Sequence, residues 1–332
     1  MENSDNMLIG AVGADREERD ALARNLEAMG IASGDLRVFS GRAVEAEIDV
    51  ESDEAQLLLP LEKELVTSLD AVFLYRAEKN IAGVLRGWAK EGNFWLLDLQ
   101  GEDVSSYVDP EWSAGALVKA GPVLAVPEAD AYWCARLIEG LGEFSPHSPL
   151  CHLFLPASDR GSAGVKELFQ QSVNALSGKS KQGETMAFGI MPTPPEQSRS
   201  QAFESSFRAM AGEGASPERI VLQAPVFHMA AISLVVSVSH PAKACKAAEN
   251  VLKSAGFMIS KGKKWPVAGA ASAQAGLVAR VNPLGQAVWV WMVYDNARDG
   301  KNMLGVKTLS KLTSRLLKNP CGPRARGLGA RC

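Results

Sequence analysis

The stretch Met7-Leu-Ile-Gly-Ala-Val12-Gly13-Ala14-Asp15-Arg16-Glu17-Glu18-Arg19 decides the first half of the fold. Met7 to Val12 is an uninterrupted apolar run, too short for a helix and suited to a strand buried on both faces. A helical pattern follows, with Leu22, Leu26 and Met29 on one side and Gly30 as its stop. Further short apolar runs at Leu36–Ser40, Ala71–Tyr75, Phe94–Leu99 and Val123–Val126 are separated by polar or helical residues. Strands alternating with helices predict a parallel sheet covered on both faces, a doubly wound α/β domain over residues 1–130.

The turn after the first strand admits two readings. A dinucleotide-binding turn carries spaced glycines that let the backbone approach a pyrophosphate at a helix N-terminus. Gly13 holds the first glycine position, but Arg16 and Arg19 hold the next two. In the functional reading, arginine charge replaces backbone contacts. In the plain reading, Asp15 and Glu18 form a capping box that satisfies the helix amides, and their carboxylates repel an incoming phosphate.

Residues 131–300 read differently. Strands are expected at His152–Leu155, Met186–Met191, Ile220–Phe227, Ile232–Ser239, Leu277–Val281 and Val288–Tyr294. Ile232–Ser239 alternates apolar with small or polar residues, which points to a mixed or antiparallel sheet with one exposed or partner-covered face. Helices are expected at Gly164–Leu176 and Pro241–Ala255. A last helix at 301–318 carries Met303, Val306, Leu309, Leu312 and Leu316 along one side. Ser177–Glu184 and Thr193–Ser200 read as loops, and the Gly/Pro/Arg-rich tail at 319–332 as disordered.

Composition narrows the function classes. The 332 residues suffice for two domains, and 35 Lys+Arg against 38 Asp+Glu leave a net charge of −3. That balance excludes a strongly basic nucleic-acid binder. No run approaches the ~20 apolar residues of a membrane span. The N-terminus is acidic where a signal peptide would be basic, so a cytoplasmic protein is expected. Five scattered cysteines, none in a CxxC pair, fit a reducing compartment.

Candidate reactive groups are few. Cys134 lies in an apolar helical pattern, where a buried thiol is the default. His147, Cys151 and His152 cluster without any standard zinc spacing, so no metal is expected. His228 lies at an apolar strand end and reads as a core or interface histidine before it reads as a base.

In their order and spacing, several segments resemble the aspartate-semialdehyde dehydrogenase family over nearly the whole chain. They are Ile9–Ala14, Ser40-Gly41-Arg42, Gly161–Leu168, Met186–Ile190, Ala224–Phe227 and Asp295–Gly300. Leu155–Ser158, Leu222–Phe227 and Tyr294–Asn296 resemble its Usg-type branch, paralogues without the full catalytic set. The resemblance implies a Rossmann-like, NAD(P)-binding N-terminal domain. It also implies an α+β domain of the semialdehyde dehydrogenase type that forms a homodimer, and a final helix returning to the first domain. NADP is the cofactor it admits, and a nucleotide or small molecule is the ligand class.

The family chemistry is reductive dephosphorylation of an acyl phosphate by a cysteine thiolate, a histidine and NADPH. The family's Asn-Pro-x-Cys turn falls on Val126-Pro127-Glu128-Ala129, which puts Ala129 at the nucleophile position. Its Arg-Gly-His falls on His228-Met229-Ala230, which puts Ala230 at the base and His228 at the substrate arginine. Its glutamine falls near Leu155, and no lysine lies between Gln201 and Gln223. Without nucleophile and base the covalent route is lost. A non-catalytic binding or regulatory paralogue is therefore expected, with no catalytic residue assigned. The alternative is an active NADP-dependent enzyme of amino-acid biosynthesis with a relocated nucleophile, for which Cys134 and His228 are the fallback. If only the cofactor is kept, Gly13, Arg16, Ser40, Arg42 and Asn296 are the residues to bind it, Asn296 at nicotinamide and Arg42 at the adenine ribose phosphate.

Overall fold

The computed structural model describes residues 7–31, 36–42, 47–51, 54–92, 94–101, 107–179, 186–193, 200–212, 216–261 and 277–316. The chain divides into two compact units, Met1–Pro127 with Lys301–Cys332, and Glu128–Gly300. The tail 319–332 lies outside the described residues, as do 180–184 of one expected loop and 194–199 of the other.

The first unit is built on a five-stranded parallel sheet. Its strands are β1 (Ile9–Val12), β2 (Arg37–Phe39), β5 (Ala71–Leu74), β6 (Trp95–Asp98) and β7 (Val123–Ala125), in the order β2-β1-β5-β6-β7. Helices α1 (Arg16–Ala28), α2 (Lys63–Thr67), α3 (Lys79–Lys90) and α4 (Ala114–Ala120) connect them. β1, β5, β6 and β7 are buried at every position, which explains their apolar sequence; the exception, Asp98 at the end of β6, is paired with Arg86 of α3. Val12, Val72, Leu74 and Leu96 form one core cluster with Val66 of α2 and Ile81 and Leu85 of α3. On the other face α10 (Lys301–Leu316) packs with α1 and α4, and Gly305 lies over Phe73. Val306, Leu309 and Leu312 are buried as expected, but Leu304 joins them, while Met303 is only half-buried. An antiparallel hairpin, β3 (Glu47–Glu51) with β4 (Glu54–Leu58), was not anticipated.

α1 starts as its sequence dictates: Asp15 accepts from the Glu18 amide and Glu18 accepts from the Asp15 amide. Gly30, at φ 70°, ends it. Met29 is the C-cap and exposed, one position too late to join Leu22 and Leu26 in the core.

The second unit carries a seven-stranded mixed sheet. β8 (His147–Leu155) runs parallel to β10 (Glu218–Gln223) and antiparallel to β11 (Met229–Ser237), which pairs in turn with β14 (Ala287–Asp295). β13 (Val278–Leu284) follows, with β12 (Met258–Ile259) at one edge and β9 (Met191–Pro192) at the other. Its helices are α5 (Ala129–Gly140), α6 (Gly161–Leu176), α7 (Ser200–Ala211), α8 (Pro241–Ser254) and the single turn α9 (Asn296–Asp299).

Three sequence expectations are corrected here. The strand at Met186–Met191 shrinks to Met191–Pro192, because the Met186 and Ala187 amides donate to Gln171 Oε1 and Phe188 turns to φ 62°. β8 begins five residues before His152, and β10 stops at Gln223 ahead of Pro225. α7 was not anticipated: Phe203 and Phe207, one turn apart, are its buried anchors, and their rings stack 6.2 Å apart.

Candidate functional site

With strand order β2-β1-β5, the chain reverses direction across the sheet between β1 and β5. That is where open α/β sheets hold their ligands, at the carboxyl ends of the strands. Gly13, Ser40-Gly41 and Arg76 meet at this point. The Gly13 amide donates to Phe39 O (3.1 Å), and Glu78 donates to Gly41 O (2.9 Å). Gly13 has φ +69°, and a Cβ on it would lie 1.8 Å from the Arg76 carbonyl oxygen. A Cβ on Gly41 would lie 2.2 Å from the same atom. The two glycines thus make room for the chain's own backbone. Ser40 is buried and its Oγ accepts from the Arg42 amide (3.2 Å), while Arg42 itself is exposed.

The Arg76 guanidinium reaches from the end of β5 across the start of α1. It donates to Glu18 Oε1 (2.8 Å), Glu18 Oε2 (2.6 Å) and Asp15 Oδ2 (2.8 Å). Behind it, Tyr75 Oη donates to Asn302 Oδ1 (2.8 Å) and Asn302 Nδ2 donates to Glu18 O (2.9 Å). Burial pushes the Glu18 carboxyl up to about 7, against the pull of Arg76 and with the added push of Asp15. Burial likewise raises the Tyr75 hydroxyl well above its ordinary value. Arg16 lies half-buried in the first turn, and Arg19 is buried with Nη1 directed at Ala14 O (3.4 Å). A dinucleotide pyrophosphate needs bare amides or unengaged cations at this helix start. Here the Asp15 and Glu18 amides are taken by each other's carboxylates and Arg76 is engaged by both. The residues present do not fit that group.

In the second unit, Ala129 is the first residue of α5 and fully buried. Glu128, its N-cap, is also buried, and the Glu128 amide donates to Ser206 Oγ of α7 (3.0 Å). Asp130 is buried, with Oδ1 accepting from the Ala131 amide (2.9 Å). α5 packs on β11, the strand that carries the buried Ala230. His228 is half-buried just before β11, and its carbonyl accepts from the Asn296 amide (3.0 Å), which makes these two candidates neighbours. Asn296 opens α9, capped by Asp295 through the amides of Ala297 and Arg298. Gln223 ends β10 and turns Nε2 onto Leu155 O (2.8 Å).

Cys134 lies in the middle of α5, fully buried, with Sγ 3.7 Å from Cys151 Sγ. The contact with Cys151 and burial raise its thiol well above the ordinary range. Cys151 and His152 are adjacent on β8 and point to opposite faces, while His147 is exposed at the strand start with Nδ1 against Ser145 O (3.0 Å). The three do not converge, and among the described residues no His/Cys/Asp/Glu group could hold a metal ion.

At the other end of β10 from Gln223 lies a polar hollow of about 370 Å³, lined by Thr193, Glu204, Ser216, Glu218 and Arg219 among others. Arg219 bonds Glu204 Oε2 (2.6 Å) and lies over the Phe203 ring (4.7 Å). Burial pushes the Glu204 carboxyl up, but the Arg219 and Ser216 bonds outweigh it and hold the group below its ordinary value.

Sequence reasoning missed Arg76, Ser206 and Gln223. Arg76 had a usable signal, a cation directly after the strand Ala71–Tyr75. Ser206 and Gln223 had none.

Among the described residues no helix is long and apolar enough to cross a membrane. No protein-family model and no curated protein matches the chain. Solved structures do. Aspartate semialdehyde dehydrogenase II of Vibrio cholerae, complexed with ASA, superposes with a TM-score of 0.77 at 15% identity, over 93% of this chain and 98% of that one. A probable aspartate-semialdehyde dehydrogenase from Pseudomonas aeruginosa gives 0.75 at 22% identity, over 94% and 98%. The Francisella tularensis aspartate semialdehyde dehydrogenase gives 0.69 at 12%, over 94% and 100%. At such identities the likeness is one of fold: this chain has the parallel-sheet and mixed-sheet architecture of those dehydrogenases.

Proposed function

We propose that this chain is a non-catalytic, dimeric paralogue of the aspartate-semialdehyde dehydrogenases, of the Usg type, acting in the cytoplasm as a binding or regulatory protein. One observation carries the reading. Ala129 and Ala230, both buried, stand at the positions the resemblance assigns to nucleophile and base. A methyl group can neither attack a carbonyl nor move a proton. Cys134 does not supply the missing sulfur: it lies more than a helical turn past Ala129, and its raised thiol is the opposite of an activated thiolate.

The dimer is supported by the uneven faces of the mixed sheet. Cys151, Leu153, Ile232, Leu234, Val288 and Val290 are buried on one face. The other face leaves Leu150 and Ile220 exposed and Phe154, Trp289 and Trp291 half-buried, an aromatic surface suited to a second copy.

The test is NADP reduction with aspartate semialdehyde and phosphate, run on the wild type and on Cys134→Ser and Cys151→Ser. The expected result is no cysteine-dependent turnover. Turnover abolished by either substitution overturns the reading. Sedimentation of the same samples should give twice the chain mass, and a monomer removes the dimeric part.

A further inference from the structure

The carboxyl end of β1 has the form of a phosphate site and the contents of an ion pair. We propose that the Asp15 and Glu18 carboxylates, seated on the α1 amides with Arg76 drawn across them, close this site and exclude a dinucleotide from the first unit. This deepens the reading above, on which it rests, by naming what closes the ligand position of the fold.

Three independent features carry the inference. The first is the position at the chain reversal between β1 and β5, where a ligand phosphate would meet the start of α1. The second is that the two capping amides and the Arg76 guanidinium are already engaged. The Glu18 and Asp15 amides point into Asp15 Oδ1 and Glu18 Oε2, and the Arg76 guanidinium makes three bonds to the same two side chains. The third is the backbone. Gly13 and Gly41, which could have admitted a pyrophosphate, close on the Arg76 carbonyl oxygen instead.

The ion pair itself is not the main bar. The Arg76 side chain is 51% exposed and can turn to solvent, whereas the Asp15 and Glu18 side chains, 13% and 19% exposed, stay seated. The bar is the two carboxylates seated on the helix amides. A phosphate entering there meets negative charge where the fold would otherwise offer the positive end of a helix. Arg76 is by contrast well suited to phosphate, since its planar fork binds two oxygens at once. Neutralising the carboxylates should therefore open the site and leave Arg76 to serve the ligand.

The experiment compares the wild type with Asp15→Asn/Glu18→Gln at pH 8, above the Glu18 value of about 7, using NADP and inorganic pyrophosphate as probes in isothermal calorimetry. Both replacements keep the shape, and Asn still caps a helix, so the fold should survive. The wild type should show no binding up to millimolar NADP, and the double variant at least tenfold tighter binding of both probes. Submillimolar binding of NADP by the wild type overturns the proposal. So does a folded double variant that binds no better than the wild type. Should the variant not fold, Arg76→Ala decides by the same titration: with the carboxylates left in place it must stay silent, and binding by it refutes their role. Wild-type binding without turnover would sink this proposal alone, whereas cysteine-dependent turnover would sink the functional reading.

Discussion

The starts of α1 and α5 present the same opening for a ligand or a nucleophile and are closed by opposite means. At α1 the closure is by charge: two carboxylates cap the amides and a half-exposed arginine balances them. At α5 it is by burial: Glu128, Ala129, Asp130 and Ala131 are all inside, and a serine from α7 takes the Glu128 amide. Charge is exchangeable with solvent and can be undone by isosteric substitution. Burial is bound up with packing, so undoing it damages the fold.

The sharpest way to break the α1 side is Gly13→Ala. It adds both left-handed strain and a Cβ driven into the Arg76 carbonyl. A loss above about 4 kcal/mol, or failure to fold, is expected in urea unfolding. A loss under about 1 kcal/mol would show that the loop around Arg76 is loose.

Second in size is a pH effect. With the folded Glu18 carboxyl near 7 and the unfolded one at its ordinary 4.5, the unfolded chain releases its proton first. Stability from this group is present below pH 4.5 and lost as pH rises to about 7. Relative to Glu18→Gln, the wild type should weaken across that window by up to about 3 kcal/mol and then level off. Thermal melts of both proteins from pH 5 to pH 8 read the gap. A gap that shrinks with rising pH would mean that Arg76 outweighs burial.

The α5 side is sharpened by Ser206→Ala, which leaves the buried Glu128 amide without its acceptor. A loss of about 1–3 kcal/mol is expected, with no change in pyrophosphate titration. If that substitution opened pyrophosphate binding, the two helix starts would not be independent.

Some of this was legible in the residues. Asp15 and Glu18, three apart ahead of an apolar stripe, announced the capping box that α1 has. The apolar runs announced β1, β5, β6 and β7, because strands covered on both faces are apolar nearly throughout, Asp98 at the end of β6 being the charged exception. The hairpin β3–β4 was overlooked although Glu47–Glu51 alternates acidic with apolar residues; its partner Glu54–Leu58 ends on two adjacent leucines that break the period. α7 was hidden because only Phe203, Ser206 and Phe207 mark its inner side. The region Met186–Ile190 misled, being apolar but bound to Gln171 of α6 in place of a neighbouring strand.

The sequence by itself determined the parallel strands and most helices of the first unit, the α/β character of the chain and the absence of sulfur and imidazole at positions 129 and 230. These follow from local periodicity and from residue identity alone. Only the tertiary structure decided that Arg76, 58 residues from Glu18, lies across the start of α1, and that Cys134 faces Cys151 inside the core. Such contacts depend on strand order and on which loops share one end of a sheet. No local pattern of side chains encodes that, because the distance along the chain carries no information about the distance through space.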